Sequence, residues 1–163
     1  MLGIIDGGIH CSGNEPEACG EELATYIVRN FGSDVRMLHI GYHPGHIKAL
    51  VKRFQRLYVT DLNKDTVGKV KHGLKIIDGS KNSELIGDVD IVLITGSAIV
   101  NKTIYDIVKE VYKHGKVGII YGVSAKGAYA LLKKKFKEFA SIKYFCPYSV
   151  AKHHSEDRPP PRP

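Results

Sequence analysis

Short apolar runs rich in β-branched residues alternate along this chain with longer stretches of helical period. The runs cover residues 35–40, 57–60, 74–77, 90–95, 117–121 and 142–146. Each stops at a turn-forming residue, in order Gly41, Asp61, Asp78-Gly79, Gly96, Gly122 and Pro147. Nearly continuous apolar runs closed in this way are the pattern of strands buried on both faces. Helical period between them predicts helices over 16–30, 46–54, 80–86, 102–114 and 126–139. Pro16 suits a first turn, Ser80 a cap, and Gly32 and Gly115 the stops. The alternation predicts a single doubly wound α/β domain, with about six mostly parallel strands, helices on both faces and right-handed crossovers. That domain is expected over 1–150, with a glycine-rich segment and helix (1–34) packed on it. The polar, proline-rich stretch 151–163 is expected to be a disordered tail.

Composition adds limits. At 163 residues and 43% hydrophobic content the chain can enclose one proper core. No apolar stretch approaches the roughly 20 residues of a membrane span, and the opening apolar run is short and lacks a basic leader, so a cytoplasmic location is expected. Cys11, Cys19 and Cys146 are too few and odd in number for a disulfide framework. The net charge of +7 raises the question of nucleic acid. Its densest lysine run (Lys133, Lys134, Lys135, Lys137) falls on one predicted helix without arginine-rich or aromatic-interleaved motifs, which favours a soluble basic surface instead. A single glutamine, no tryptophan and abundant Lys, Ile and Val lean towards a thermophilic source.

Ligands of open α/β sheets bind outside the carboxyl ends of the strands, where strand order reverses. The polar and turn-forming residues of this chain gather at those ends: Gly41, Tyr42, His43 and Pro44; Asp61 and Asn63; Thr95, Gly96 and Ser97 with Asn101 and Thr103; Gly122 and Ser124. Gly41 lets the backbone turn off a strand into a helix start, and Asp61 follows at about the 20-residue spacing of an acid that binds ribose hydroxyls. The loop is not a dinucleotide fingerprint, because His43 stands where a second glycine would let pyrophosphate approach and Pro44 removes an N–H donor. Looser glycine loops suit adenosine or S-adenosylmethionine. Asn101 and Thr103 are placed to start the helix after the fourth run, with Asn101 as its cap. A glycine-rich stretch, Gly7 to Glu15, holds His10, Cys11, Asn14 and Glu15, and His10, Cys11 and His43 offer donors that borderline metals accept. Cys19 and His46 are further candidates, though no recognised zinc spacing is present. Ser124 lacks the glycine of a nucleophile elbow, since Lys126 takes that position.

The run from Asp90 to Thr103, with its Thr95-Gly96-Ser97 turn and Asn101-Lys102-Thr103, resembles the putative heavy-metal chelation domain family. So do Ile40-Gly41-Tyr42-His43-Pro44 and Gly13-Asn14-Glu15-Pro16-Glu17, and the likeness extends from the first glycines to Ser124. The resemblance implies a Rossmann-like domain with a conjectured role in metal handling. Longer members resemble a two-part protein, with an enolase-N-terminal-like domain in front and a site between the two. This chain has no room for that first part, so such a site is expected to be reduced or completed by another subunit. Where the family favours Gly-Pro-Ser after the fifth strand, this chain reads Gly122-Val123-Ser124.

Three functions remain open at this level. One is a small-ligand-binding or metal-handling protein, holding a divalent transition metal or a small molecule at the carboxyl edge. The second is an enzyme dependent on S-adenosylmethionine or a nucleotide, such as a methyltransferase. The third is a non-catalytic interaction module. A homodimer is expected in each.

Overall fold

The computed structural model describes residues 16–122 and 125–144. Among them one sheet forms from β1 (Met37–Ile40), β2 (Leu57–Asp61), β3 (Val70–Lys71), β4 (Leu74–Asp78), β5 (Ile91–Thr95), β6 (Val117–Tyr121) and β7 (Ile142–Tyr144), in the order β3-β4-β2-β1-β5-β6-β7. All pairings are parallel except β3 with β4. Counting only the six parallel strands, the order is 3-2-1-4-5-6, that of a Rossmann-like fold. Strand order therefore reverses between β1 and β5. The extra strand, β3, turns into β4 through His72 and Gly73, both at positive φ (51° and 80°), as a tight two-residue hairpin turn requires.

Helices cover both faces because alternate side chains of the central strands point opposite ways. Met37 of β1 and Leu93 of β5 pack with Leu23, Ile27, Ile47 and Leu50, which belong to α1 (Pro16–Phe31) and α2 (Pro44–Leu50). Leu38, Ile40, Val92 and Ile94 face the other layer, built from α3 (Asn82–Ile86), α4 (Ser97–Val100), α5 (Ile104–Lys113) and α6 (Lys126–Lys135). Each central strand is buried on both sides, which is why its sequence reads as an unbroken apolar run.

Several helix boundaries differ from the periodic expectation, each for a local reason. The second helix starts at Pro44, two residues early, because His43 caps it and proline fits a first turn; it ends at Leu50. Asp78 rather than Ser80 caps the next segment, accepting the Ser80 N–H at 2.8 Å, and a 3₁₀ turn over Gly79–Lys81 precedes α3. The expected helix at 102–114 is split. Asn101 closes α4, Lys102 adopts φ +59°, and Thr103 leads into α5 without a side-chain cap bond. α6 stops at Lys135, and the chain continues as a 3₁₀ helix over Lys137–Ser141. No helix among the described residues is long and apolar enough to cross a membrane. The 151–163 tail lies outside the described residues.

Candidate functional site

The exit of β1 sets the geometry of the carboxyl edge. Gly41 continues the ladder by donating to the Thr60 carbonyl at 2.8 Å, then turns at φ +88°. A Cβ there would stand 2.8 Å from Thr95 Cγ2 and 3.3 Å from the Tyr121 hydroxyl. Both the turn and the close approach therefore demand glycine. The buried Tyr121 hydroxyl shares its proton between the Ile40 and Gly41 carbonyls, each 3.0 Å away, so β6 fastens the end of β1. Burial raises the Tyr121 pKa, with a Thr95 side-chain hydrogen bond opposing it.

Beyond the turn, the loops of β1 and β2 are joined through Asp61. Its Oδ2 accepts the Tyr42 N–H at 2.7 Å and its Oδ1 accepts the Asn63 N–H at 2.8 Å. The carboxylate is thus pinned at the end of β2, one strand from the reversal of strand order. His43 turns its ring inward, and its Nδ1 accepts the His46 N–H at 3.4 Å, capping α2. The bulk expected to block a pyrophosphate does occupy the helix start, and it does so as a cap.

A cleft of about 420 Å³ opens between these loops. Of the residues singled out by sequence, Gly41, Tyr42, His43, Asp61, Thr95, Ser97, Asn101 and Thr103 line it. Pro44, Asn63, Gly96 and Gly122 do not. Gly96 N–H donates to the Tyr121 carbonyl at 2.8 Å, holding the β5 turn against β6. Asn14, Glu15 and Ser124 lie outside the described residues, as do His10 and Cys11. Sequence reasoning passed over Thr60, Ser80, Asn82, Ser83, Asp106 and Tyr121, which also line the cleft. The signal was available: the third apolar run ends at the same rim, so the residues after Asp78-Gly79 belong with the other carboxyl-edge loops. Thr60 donates its hydroxyl to Asn82 Oδ1 at 2.7 Å, so what Asn82 has left to offer is its amide N–H groups.

Behind the cleft runs a buried chain of polar groups. His39, fully buried on β1, places Nδ1 2.8 Å from the Gly41 carbonyl and Nε2 3.3 Å from His46 Nδ1. His46 Nε2 lies 3.3 Å from Cys19 Sγ on α1. A carbonyl only accepts, so His39 carries its proton on Nδ1 and presents a lone pair at Nε2. His46 must then donate from Nδ1, and its Nε2 accepts the Cys19 thiol proton. Burial, the main cause, lowers the His39 pKa to about 3 and that of His46 to about 2. Burial also lowers the pKa of His43, whose ring centroid is 4.2 Å from that of His46. The approach of α1 that brings Cys19 here depends on Gly20, where a Cβ would lie 2.4 Å from the Gly45 carbonyl oxygen.

The donor set bears on metal. Among the described residues no group of three His, Cys, Asp or Glu side chains is arranged to hold an ion. The cleft offers mainly oxygen donors with one imidazole, His43, whereas the soft donors Cys19 and His46 face each other in the buried chain. The described residues alone do not fit a heavy metal.

The family model described as putative heavy-metal chelation (DUF364) matches residues 26–151. A crystal structure of a DUF364 protein of unknown function from Pyrococcus horikoshii is similar, with a TM-score of 0.52 and 21% identity over 71% of this chain and 48% of that one. A second DUF364 protein of unknown function, from Desulfitobacterium hafniense, gives a TM-score of 0.46 and 12% identity over 71% of this chain and 53% of that one. The chain thus spans about half the length of either neighbour. No curated protein matches it.

Proposed function

This chain belongs to the putative heavy-metal chelation family, and on that premise we propose that it is a small-ligand-binding domain whose site is the cleft at the carboxyl edge of the sheet. One observation carries the reading. Asp61 is held by two backbone N–H groups beside the point where strand order reverses, facing the hydroxyl-bearing turn at Thr95 and Ser97 across the cleft. Its volume of about 420 Å³ falls within the ~300–1,000 Å³ usual for small-molecule pockets. Open sheets of this strand order bind their ligands at that place. Metal handling enters as the finer part of the proposal. His43 in the cleft would need further donors, and His10 and Cys11 have the right chemistry for a borderline metal.

The test is native mass spectrometry of the protein purified from its own host, repeated on Ser97→Leu, which would crowd the cleft. A co-purifying small molecule that disappears in the variant supports the reading, and a bound metal lost in His43→Ala supports its finer part. A ligand retained by Ser97→Leu, or none at all together with no binding of any offered molecule, overturns it.

The second reading, an adenosyl-dependent enzyme, is favoured by one specific relationship. Asp61 stands where an acid receives ribose hydroxyls, and each of its oxygens retains a lone pair beyond the N–H it accepts. Unchanged S-adenosylmethionine affinity in Asp61→Ala would remove this alternative.

A further inference from the structure

The charge of the cleft runs against that of the chain. Lys and Arg number 24 in 163 residues and the net charge is +7. Yet among the described residues lining the cleft the charged side chains are Asp61 and Asp106, with no Lys or Arg. Asp106 sits in the first turn of α5 and lines the same cleft as Asp61. The remaining polar lining is hydroxyl and amide, which accept and donate without net charge.

The usual phosphate cradle is also depleted. In a sheet of this order phosphate is held by backbone N–H groups at the start of the helix after the first strand. Here, of the first three helical residues, Pro44 has no N–H and the His46 N–H is held by His43 Nδ1 at 3.4 Å, which leaves Gly45. A phosphate entering the cleft would meet two carboxylates and find one N–H missing and another engaged at that helix start. A carboxylate only accepts, so its natural complements are hydroxyl and ammonium groups. The two free acceptor positions of Asp61 match a vicinal diol, and Ile40, Ile86 and Ile107 supply apolar wall for a flat ring.

Resting on the cleft reading above, we infer that this site takes an unphosphorylated nucleoside-type ligand, neutral or cationic at its 5′ end, and rejects the phosphorylated counterpart. Asp106 is exposed, so its repulsion of a phosphate is screened by salt, and the discrimination is largest at low salt and shrinks as salt rises.

Isothermal titration of the intact chain with adenosine, 5′-amino-5′-deoxyadenosine and adenosine 5′-monophosphate tests this. The amine is expected to bind tightest, and the monophosphate about tenfold or more weaker than adenosine. The ratio of amine to monophosphate affinity should fall roughly threefold or more in Asp106→Asn, and again between about 50 and about 500 mM salt. Monophosphate binding as tight as adenosine overturns the charge selection and leaves the cleft reading standing. Binding of none of the three, while another co-purified molecule is lost in Ser97→Leu, overturns the nucleoside class alone. Failure of every small molecule overturns both.

Discussion

His39 Nε2 lies 3.3 Å from His46 Nδ1 in the layer between β1 and α2, and both rings are buried. The contact requires a neutral His39, because a proton on its Nε2 would face the N–H of His46, and a second proton on His46 would face the Cys19 thiol proton that its Nε2 accepts. Two histidines that must stay uncharged inside a core bind protons on unfolding that they refuse when folded.

That refusal has a sign and a window. The folded pKa values, about 3 for His39 and about 2 for His46, lie below the ordinary 6.5. Between them the unfolded chain holds more protons, so stability is full above pH 6.5 and falls as pH drops below it. The slope is up to about 1.4 kcal/mol per pH unit for each ring. Urea midpoints measured at about pH 7.5, 6 and 5 should decline steeply, and His46→Gln should remove its own ring's share of the slope, leaving those of His39 and the half-buried His43. A midpoint that stays level across this range would show that the pair is not buried neutral.

Gly20 sets how close α1 comes to α2. An added Cβ would stand 2.4 Å from the Gly45 carbonyl oxygen and 2.9 Å from His46 Cα, and neither is a flexible side chain that could yield. Gly20→Ala should therefore push the helices apart at a cost of about 1–3 kcal/mol, read from the urea midpoint. The same movement would lengthen the 3.3 Å contact of Cys19 with His46. Faster reaction of the Cys19 thiol with a disulfide reagent is expected, and an unchanged rate would mean that the contact survives.

How much of this was legible depended on whether the signal was local. The six principal strands could be read because each carries a short apolar run that closes at its own turn residue, and the central ones are buried on both faces. Asp61 stood out through its distance along the chain from Gly41, and at the end of β2 it accepts the N–H of Tyr42, the residue after that glycine. The break between α4 and α5 was hidden, since Lys102 gives no sequence sign of its positive φ. Asp106 looked like an ordinary acid in a helix's first turn, and only the tertiary structure turns it to the cleft. His39 read as one more strand residue, because its partners come from three other places: the Gly41 carbonyl, α2 and, through His46, α1.

Tyr121 is the tie between β6 and the end of β1. Its hydroxyl is a donor to the Ile40 and Gly41 carbonyls, so Tyr121→Phe takes that donor from both without creating a cavity, while the Gly41 oxygen keeps the His39 Nδ1–H. A loss of about 1–3 kcal/mol is expected. The Gly41 turn should also loosen, and hydrogen exchange of the Gly41 and Tyr42 amides would report it as lost protection. Wild-type protection in the variant would show that the ladder bond from Gly41 to Thr60 and the Tyr42 N–H bond to Asp61 hold the turn without it.

The opposite rim provides a separable perturbation. There Asp90 accepts the Arg36 N–H at 2.8 Å and the guanidinium through Nε at 3.3 Å and Nη2 at 3.0 Å, clamping the start of β1 to that of β5. Hydrogen bonds from the Arg36 side chain, and then its backbone N–H, lower the Asp90 pKa from 3.8. The sign is that of a depressed carboxylate: the stabilisation is present above its unfolded pKa and is lost as pH falls through the folded one. This window lies below pH 4, whereas the histidine pair begins to cost stability at 6.5. Both side chains are 42% exposed, so solvent screens the pair and Asp90→Asn should lower the urea midpoint only slightly at neutral pH. The variant should flatten the stability curve below about pH 4 while leaving the decline between 6.5 and 4 as it was. Because the clamp sits at the amino ends of β1 and β5, ligand affinity in the cleft should not change. A variant that alters that affinity would mean the two rims of the sheet are mechanically coupled through β1.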